Sequence, residues 1–412
     1  MDYGLVGEKL GHSFSKEIHS KLSKYDYCLC EVAPEDIDDF FIERDFKGVN
    51  VTIPYKQTVM KHLDFISEEA KSIGAVNTVV NRNGKLYGYN TDFAGMKGLI
   101  LKNGIEISGK KVLILGTGGT SNTAFAVCQS LGAKSIFKVS RSKSEQHIDY
   151  DEAYSQHSDC DVLINTTPCG MYPNINSVAI DIDCFSNLSG VVDAVYNPLS
   201  SLLVTKAKQK GIKAVGGLYM LVLQAAVAAE HFMDCKVEET RVDEIYKDIL
   251  KAKRNIVLIG MPSSGKTSIG KELVGQLGMD FIDTDCLIEQ KAKMSISDIF
   301  KTKGEAAFRD IEAEVIQQIS GCQSTVIATG GGAVLREENV INLKLNGTVF
   351  FIDRSIENLL TTPDRPLSSN KQDLERRYNE RYGKYLAVCD KRIENNGDMQ
   401  SAIDIIKGEA VL

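Results

Sequence analysis

The stretch GMPSSGKT, from Gly260 to Thr267, decides how this 412-residue chain is organised. Two glycines separated by four residues and followed by Lys and Thr form the pattern of a phosphate-binding loop. The apolar run NIVLI precedes the loop, and residues 269–277 place Ile, Leu and Leu on one face of a predicted helix. The loop and the positive end of that helix would direct several backbone N–H groups at one phosphate. A glycine-bearing turn that binds nothing is the alternative, but the strand, spacing, Lys, Thr and helix all favour phosphate binding.

The same loop predicts where the chain divides. Lys266 can reach the β- and γ-phosphates of a nucleotide, and the Thr267 hydroxyl can hold Mg²⁺. Further nucleotide contacts are expected from Gly260, Ser264 and Gly265. In a self-contained domain of this type the loop lies near the start, so the roughly 250 residues before it belong to a separate domain.

Composition favours a soluble protein whose partners are small molecules. The chain is 43% hydrophobic and 25% charged, and its net charge of −7 gives no basic surface for nucleic acid. Residues 1–13 do not read as a signal peptide, and no apolar run approaches the roughly 18 residues of a membrane span. The ten cysteines are scattered, and Cys28 and Cys30 lack the matching second pair of a zinc site. All ten are therefore predicted to be reduced, mostly buried thiols of a cytoplasmic protein. The oligomeric state is left open.

Polar residues follow several predicted strands in the first 100 residues. Ser13 and Ser15 follow the strand-like run at 3–6, and Lys56 ends the run GVNVTIPYK, in which Asn50 and Thr52 share one face. GAVNTVV and YNTD add further polar ends. Together they predict a pocket for a hydroxylated anion, in which Lys56 and Asp92 share proton transfer. The alternatives are a helix N-cap for either serine and a solvated surface lysine.

A second glycine-rich turn predicts a dinucleotide site. The strand Lys111–Leu115 leads into the turn Gly116–Gly119 and then a helix with small residues at its start, a Rossmann-type arrangement in variant form. The next predicted strand, 135–139, ends at Ser140 and Arg141, where an acidic residue would bind a ribose 2′-hydroxyl. Arg141, with Lys143 nearby, suits a 2′-phosphate instead, so NADP rather than NAD is predicted. The alternative is that Arg141 is a surface charge.

These motifs, in their order and spacing, resemble shikimate dehydrogenase over residues 1 to about 250. The resemblance rests on SFS, NVTIPYK, GAVNT, NTD, GTGGT, NTTPCGM, DAVYNP and GGLYMLVLQAA. It implies that Lys56 and Asp92 form the catalytic dyad. It also implies substrate contacts from Ser13, Ser15, Thr52, Asn77 and Gln224, and NADP contacts from Gly116, Gly118, Gly119, Thr120, Arg141, Gly217 and Met220. Phe93 and Ser201 depart from the common pattern and leave substrate breadth open.

Motifs after the phosphate-binding loop predict the second site. Asp283 and Asp285 lie two residues apart in FIDTD, at the end of a predicted strand. One carboxylate could bind Mg²⁺ and the other a substrate hydroxyl. Arg309 lies on a predicted helix, and ATGGGAV runs from a strand into a triple glycine where backbone can approach a ligand. Arg365, in DRPL, could cover the ATP phosphates on a closing lid. The alternatives are a tight turn for the glycines and a loop cation for Arg365.

Together these motifs resemble shikimate kinase across residues 255–412. The resemblance implies that Lys266 binds phosphate, Thr267 and Asp283 organise Mg²⁺, and Asp285 positions and deprotonates the attacking hydroxyl. It further implies substrate contacts from Arg309, Gly331 and Arg381 and a lid role for Arg365. The segment that is usually RxPLY is RYGKY in this chain. Arg376 and Arg377 are therefore alternatives to Arg381 as the substrate-binding arginine. Ser263 also replaces a common loop glycine, and RPLS replaces RPLL.

The sequence therefore predicts an α/β protein with three parts. An α/β substrate lobe comprises residues 1–98 and 218–252, a Rossmann-type NADP lobe comprises 99–217, and a P-loop domain with a parallel sheet comprises 255–412. Helices over 218–232 and 238–252 are expected to cover the substrate lobe. With only residues 252–254 between the halves, a restricted geometry is expected.

The predicted function is bifunctional and belongs to the biosynthesis of chorismate and the aromatic amino acids. The first domain would reduce 3-dehydroshikimate to shikimate with NADPH, and the second would phosphorylate shikimate with ATP and Mg²⁺. Two alternatives are a dehydrogenase of broader scope that also oxidises quinate and a non-catalytic sensor of shikimate-type ligands. The intact Lys56, Asp92, Lys266 and Asp285 disfavour the sensor.

Overall fold

The computed structural model describes residues 1–11, 13–359 and 371–411. The chain separates into two compact units, Met1–Ile249 and Leu250–Leu412. The division lies a few residues before the predicted junction. The finer subdivision of the first unit at residues 98 and 217 stays a prediction.

The first unit begins with a mixed six-stranded sheet. Its strands lie in the order β2-β1-β3-β5-β6-β4, with β1 parallel to β2 and β3, and β5 antiparallel to β3 and β6. The strands are β1 (Tyr3–Gly7), β2 (Tyr27–Glu31), β3 (Gly48–Val51), β4 (Phe65–Ile66), β5 (Thr78–Arg82) and β6 (Lys85–Tyr89). The helices of this part are α1 (Ser15–Leu22), α2 (Ile37–Glu43), α3 (Glu68–Ile73) and α4 (Thr91–Lys102).

A parallel five-stranded sheet follows, in the order β11-β10-β9-β7-β8. Its central strands are almost wholly apolar, as expected where helices cover both faces of a parallel sheet. The strands are β7 (Lys111–Leu115), β8 (Ser135–Val139), β9 (Val162–Asn165), β10 (Gly190–Asp193) and β11 (Lys213–Val215), and the helices are α5 (Gly119–Ser130), α6 (Tyr150–Gln156) and α7 (Leu202–Gln209).

Two helices, α8 (Leu218–Met233) and α9 (Glu239–Lys253), return to the part of the first unit that contains β1 and α1. The Phe232 ring on α8 lies 5.3 Å from the Tyr3 ring of β1, and Lys21 on α1 forms a 3.0 Å ion pair with Asp248 on α9. Helices are thus present close to the predicted ranges 218–232 and 238–252, and the assignment of these residues to the substrate lobe stays a prediction. Helix α8 also packs against α4 at Gly95, where an added Cβ would lie 2.6 Å from the Met220 carbonyl oxygen.

The second unit is built on a parallel sheet with the strand order β13-β14-β12-β15-β16. This confirms the predicted α/β class with a parallel sheet. The strands are β12 (Asn255–Ile259), β13 (Asp280–Asp283), β14 (Thr325–Ala328), β15 (Gly347–Asp353) and β16 (Lys391–Glu394). The helices are α10 (Lys266–Leu277), α11 (Thr284–Ala292), α12 (Ile296–Ile319), α13 (Glu337–Lys344), α14 (Lys371–Val388) and α15 (Met399–Val411), and α12 is kinked at Gly304.

The prediction that the cysteines are mostly buried is wrong. All ten are free thiols, but only Cys128 and Cys160 are buried. Cys28 lies on β2 at the edge of its sheet, and Cys286 is exposed in the first turn of α11, so neither contributes to a core. In the described part of the chain, no helix has the length and apolar character of a membrane span.

The buried core of the parallel sheet in the first unit gives a stability prediction. Leu113, on β7, is fully buried, whereas Leu101, at the end of α4, is 58% exposed. We expect Leu113→Ala to lower the free energy of unfolding of the first unit by about 2–5 kcal/mol, because it removes buried methyl groups and leaves a cavity. The matched Leu101→Ala should change it by less than about 0.5 kcal/mol. Urea unfolding, monitored by circular dichroism, measures the free energy of unfolding of both variants. Equal decreases in the two variants would contradict the prediction.

Candidate active sites

A largely buried ion pair joins the two residues predicted to transfer a proton. The Lys56 ammonium lies 2.6 Å from the Asp92 carboxylate, and the two side chains are 14% and 9% exposed. Asn90 caps α4 by accepting the Phe93 N–H and donating to the Ala75 carbonyl, so Asp92 is fixed in the first helical turn. The predicted dyad is thus brought together from a turn after β3 and the start of α4.

A continuous set of buried hydrogen bonds lies in the same lobe. The Asn77 Oδ1 accepts the Thr91 N–H at 2.7 Å, and the Thr91 hydroxyl donates to the Gln224 Oε1 at 3.3 Å. Asn50 donates to the Thr78 hydroxyl, which in turn donates to Asn77. Two predicted substrate residues, Asn77 on the β-sheet side and Gln224 on α8, therefore meet through Thr91. Thr52 lies just beyond β3, where its N–H donates to the Val6 carbonyl.

The predicted serine pair is also assembled. The Ser13 hydroxyl donates to the Ser15 hydroxyl at 3.0 Å, at the start of α1. The Tyr196 hydroxyl hydrogen-bonds with Ser13, and burial raises the pKa of this tyrosine. Sequence reasoning assigned Tyr196 no role. A tyrosine three residues after the end of β10 was the available signal, but only the fold carries it from the nucleotide lobe to the serines of the other lobe.

The glycine turn after β7 lies beside the dyad. Gly116 has φ of +109°, and an added Cβ would come within 2.9 Å of the Thr166 hydroxyl, so glycine is required there. Gly118 precedes α5, and Gly119 and Thr120 form its first residues. A Cβ at Gly119 would lie 3.6 Å from Cδ of Lys56. A dinucleotide held by this helix N-terminus would therefore approach Lys56, the predicted proton donor.

The two predicted cations after β8 differ in their surroundings. Lys143 forms an ion pair of 2.5 Å with Glu152 of α6, whereas Arg141 is exposed. The Glu152 carboxylate offsets the Lys143 charge, so Arg141 is the better placed of the two for a 2′-phosphate.

Asp193, at the end of β10, is a buried carboxylate that sequence reasoning missed. It accepts hydrogen bonds from Asn165, from the Val195 N–H and from the Ser201 hydroxyl. The Val195 carbonyl in turn accepts the Gly217 N–H, next to Met220 in the first turn of α8. Asp193 thus ties the loop that carries Tyr196 to the predicted nicotinamide residues. Burial raises its pKa to about 6 despite these three hydrogen bonds.

In the second unit, the phosphate-binding loop has the predicted strand–loop–helix form. Gly260 and Gly265 have φ of +144° and +100°, and α10 begins at Lys266. Lys266 is 8% exposed, and its ammonium donates to the carbonyls of Gly260 and Met261. Asn395 donates to the Ser264 carbonyl and braces the loop from the end of β16. Ser263 is left-handed, with φ of +65°, which explains why glycine is favoured there.

A hydroxyl and a carboxylate meet beside this loop. The Thr267 hydroxyl donates to Asp283 Oδ2 at 2.9 Å, and Asp283 caps α11 by accepting the Asp285 N–H. Oxygen donors from a phosphate-loop Thr and a strand-end Asp are the ligands that Mg²⁺ prefers. The pair therefore fits a magnesium ion bound with nucleotide phosphates.

A cavity of about 640 Å³ adjoins the loop and contains the predicted kinase substrate residues. Asp285, Arg309, Gly331 and Arg381 line it, together with Arg377, Lys266, Thr267 and Asp283. Gly331 lies where an added Cβ would come within 2.7 Å of Pro262. The substrate and phosphate ends of the predicted site thus share one space.

The arginines of this cavity are held by specific partners. Arg309 donates to Glu312 at 2.7 Å and to Glu305 at 3.1 Å, and Arg381 donates to the Gly331 carbonyl at 3.2 Å. Glu312 is fully buried, and burial raises its pKa. Sequence reasoning did not single out Glu312; its spacing of three residues from Arg309 on one helix was the available signal.

The three competing arginines of α14 are separated by the structure. Among the described residues, Arg377 and Arg381 line the cavity and Arg376 does not. Arg376 is 63% exposed and pairs with Asp373. Arg365, the predicted lid residue, lies outside the described residues.

Comparison with known proteins finds a family match in each of the two units. Residues 5–79 match the family model for the shikimate dehydrogenase substrate binding domain. A relative from Clostridium perfringens, named shikimate dehydrogenase (NADP(+)), is 40% identical over 265 residues, which cover 60% of this chain and 97% of the relative. The chain belongs to the shikimate dehydrogenase family. Residues 262–407 match the family model for shikimate kinase, so a shikimate kinase domain follows the dehydrogenase.

Solved structures support the dehydrogenase assignment. Shikimate dehydrogenase 1 from Peptoclostridium difficile is 37% identical with a TM-score of 0.57, covering 60% of this chain and 98% of that chain. Shikimate 5-dehydrogenase from Thermus thermophilus, solved with NADP(H) and shikimate, is 26% identical with a TM-score of 0.54, covering 60% of this chain and 99% of that chain. The predicted fusion of a shikimate dehydrogenase with a shikimate kinase is confirmed.

The buried Asp193 of the dehydrogenase gives a pH prediction. Its pKa is about 6 in the folded protein and 3.8 as a free side chain, so the protonated form stabilises the fold below about pH 4. That contribution is lost as the pH rises through 6. Relative to Asp193→Asn, the wild type should therefore lose up to about 3 kcal/mol of unfolding free energy between pH 4 and pH 7.

Chemical unfolding of the two proteins at intervals of one pH unit measures this difference. Asn keeps the size of Asp193 and can still accept from Asn165 and Val195. Asp26→Asn, at an exposed position, controls for the change of charge alone. Unfolding free energies of wild type and Asp193→Asn that run parallel from pH 4 to pH 7 would contradict the assignment.

Proposed function

We propose that this bifunctional enzyme of the shikimate pathway carries out two consecutive reactions. The dehydrogenase reduces 3-dehydroshikimate to shikimate with NADPH, and the kinase transfers the γ-phosphoryl group of ATP to shikimate to give shikimate 3-phosphate. The observation that carries the proposal is the presence, in one chain, of the 2.6 Å Lys56–Asp92 pair and the phosphate loop opening onto an arginine-lined cavity.

In the reduction, negative charge develops on the carbonyl oxygen as hydride reaches the carbon. Lys56 donates a proton to that oxygen, and Asp92 holds the ammonium in position. Ser13, Ser15, Asn77 and Gln224 bind the hydroxyls and carboxylate of the substrate, with Thr52 beside them and Tyr196 as a further contact. NADPH supplies the hydride. Gly116, Gly118, Gly119, Thr120 and Arg141 would hold its phosphates, and Gly217 and Met220 its nicotinamide.

In the phosphorylation, positioning and charge neutralisation carry most of the catalysis. Asp285 orients and deprotonates the attacking hydroxyl of shikimate, while Arg309 and Arg381 bind the carboxylate and Gly331 contacts the ring. Lys266 and the loop N–H groups of Gly260, Ser264 and Gly265 bind the phosphates. Thr267 and Asp283 would hold Mg²⁺, which supplies further positive charge. A lid role for Arg365 and a cytoplasmic location stay predictions.

The alternatives are less well supported. Relatives named as NADP(+) shikimate dehydrogenases favour a biosynthetic reductase over an enzyme for quinate. A sensor would not require a buried lysine–aspartate pair beside a nucleotide turn. The deciding experiment follows NADPH consumption by the purified chain with 3-dehydroshikimate, then adds ATP and Mg²⁺ and assays shikimate 3-phosphate. No NADPH consumption, or no phosphate ester even from supplied shikimate, would refute the corresponding half.

The two catalytic lysines give a reciprocal prediction. Lys56→Ala should lower the kcat of reduction by at least about 100-fold, because the proton donor is lost, and leave the kinase reaction near wild type. Lys266→Ala should lower the kinase kcat by at least about 100-fold and spare reduction, because it removes charge stabilisation of the phosphates. Separate assays with supplied 3-dehydroshikimate and supplied shikimate measure the two effects.

Two exposed lysines provide matched controls for these variants. Lys61, which pairs with Asp38 on the surface, is changed for comparison with Lys56, and Lys271 of α10 for comparison with Lys266. Both controls should retain both activities. Loss of both activities in either active-site variant would contradict the independence of the two sites.

Arg141 gives a prediction about cofactor choice. Arg141→Ala should raise the KM for NADPH about 10- to 100-fold, as expected for a lost charged hydrogen bond to a 2′-phosphate, while the KM for NADH stays the same. Lys134→Ala, at the opposite end of β8, is the control. An equal effect on both cofactors would show that Arg141 does not read the 2′-phosphate.

A further inference from the structure

The cavity of the kinase contains one more guanidinium group than the proposed substrate contacts use. Arg309, Arg377 and Arg381 all line it. Arg309 is offset by two carboxylates, Glu312 and Glu305, and Arg381 donates to a backbone carbonyl.

Within the described residues, Arg377 has neither an ion pair nor a hydrogen bond. Its Nε is buried without a partner, although the side chain as a whole is only half-buried. Burial and repulsion from Arg381 lower the pKa of this guanidinium, and the nearby Glu305, which accepts a hydrogen bond from Arg309, opposes that shift. A partly desolvated cation next to a second cation is unfavourable until an anion joins them.

The position of Arg377 on α14 identifies the end of the cavity that such an anion would occupy. Residues 377 and 381 are one helical turn apart, so their side chains project from one face. Arg376 projects elsewhere and pairs with Asp373 and Glu380. The charged groups that act on Arg377 are Glu305, Arg381, Arg376 and Asp373, whereas the Asp283 carboxylate at the phosphate end is not among them. Arg377 therefore belongs to the end formed by Arg309 and Arg381.

We propose that Arg377 binds the carboxylate of the kinase substrate together with Arg309 and Arg381, and so sets the preference of this site for an acid. The proposal rests on the proposed kinase function and adds a specificity-determining residue to it. A planar guanidinium can donate two hydrogen bonds to one carboxylate, so the anion would satisfy Arg377 and also relieve its repulsion with Arg381.

The test compares Arg377→Met and Arg377→Lys with Arg376→Met in the full chain. With supplied shikimate and ATP, Arg377→Met should raise the KM for shikimate about tenfold or more, because a charged hydrogen bond is lost. Its KM for ATP should not change, since Arg377 lies away from the phosphate end. The KM of Arg377→Lys for shikimate should lie between those of wild type and Arg377→Met, because lysine keeps the charge but not the planar donors. The KM of Arg376→Met for shikimate should stay within about twofold of wild type.

A neutral analogue separates carboxylate binding from a general effect on the fold. The ratio of kcat/KM for shikimate to that for its methyl ester should fall about tenfold in Arg377→Met relative to wild type. An unchanged KM for shikimate, or equal losses on acid and ester, would overturn the proposal. If Arg377→Met can no longer be saturated with ATP, the same ratio of kcat/KM values for acid and ester is measured in Arg377→Lys. In that variant the ratio must also be lower than in wild type.

The same design distinguishes this proposal from the kinase function itself. A wild-type chain that phosphorylates neither compound would refute the kinase function. Calorimetric titration of wild type and Arg377→Met with shikimate alone would still test Arg377, because carboxylate binding does not require phosphoryl transfer. Equal dissociation constants in that titration would overturn the role of Arg377.

Discussion

A cation that is taken out of water must find a negative partner, and this requirement shapes both active sites. Lys56 is held by Asp92, Lys266 by two carbonyls of its own loop, and Arg309 by Glu312. Each partner fixes the cation in a position where a substrate or phosphate can replace or join the existing contact. The contacts that neutralise each buried cation therefore also determine where a substrate can bind.

In the dehydrogenase, the packing of two helices positions these contacts. Asp92 lies on α4 and Gln224 on α8, and the two helices approach closely at Gly95 because a side chain there would meet the Met220 carbonyl. The buried amide and hydroxyl groups behind them are hydrogen-bonded to one another, so few alternative side-chain orientations are available. The predicted substrate side of the first site is thus preorganised by the core itself.

Both nucleotide sites use the same property of parallel sheets. The glycine turns follow β7, the fourth of five strands, and β12, the central strand of its sheet, and each turn leads into a helix whose N-terminus carries partial positive charge. Because neighbouring parallel strands end at the same edge, residues far apart in sequence gather there. Asp193 at the end of β10 and Asp283 at the end of β13 are examples, and neither carboxylate is left without a donor.

The sequence by itself determined the fold class, the two glycine turns, the Lys56–Asp92 pair and the succession of dehydrogenase and kinase, because these depend on local patterns and spacing. Only the tertiary structure decided which arginines of α14 face the cavity, since residues 376, 377 and 381 look equivalent until the helix is packed. It also decided that Tyr196 reaches Ser13, that Asp193 and Glu312 are buried, and that most cysteines are not. Burial and contacts between distant segments arise from packing, which no local pattern contains.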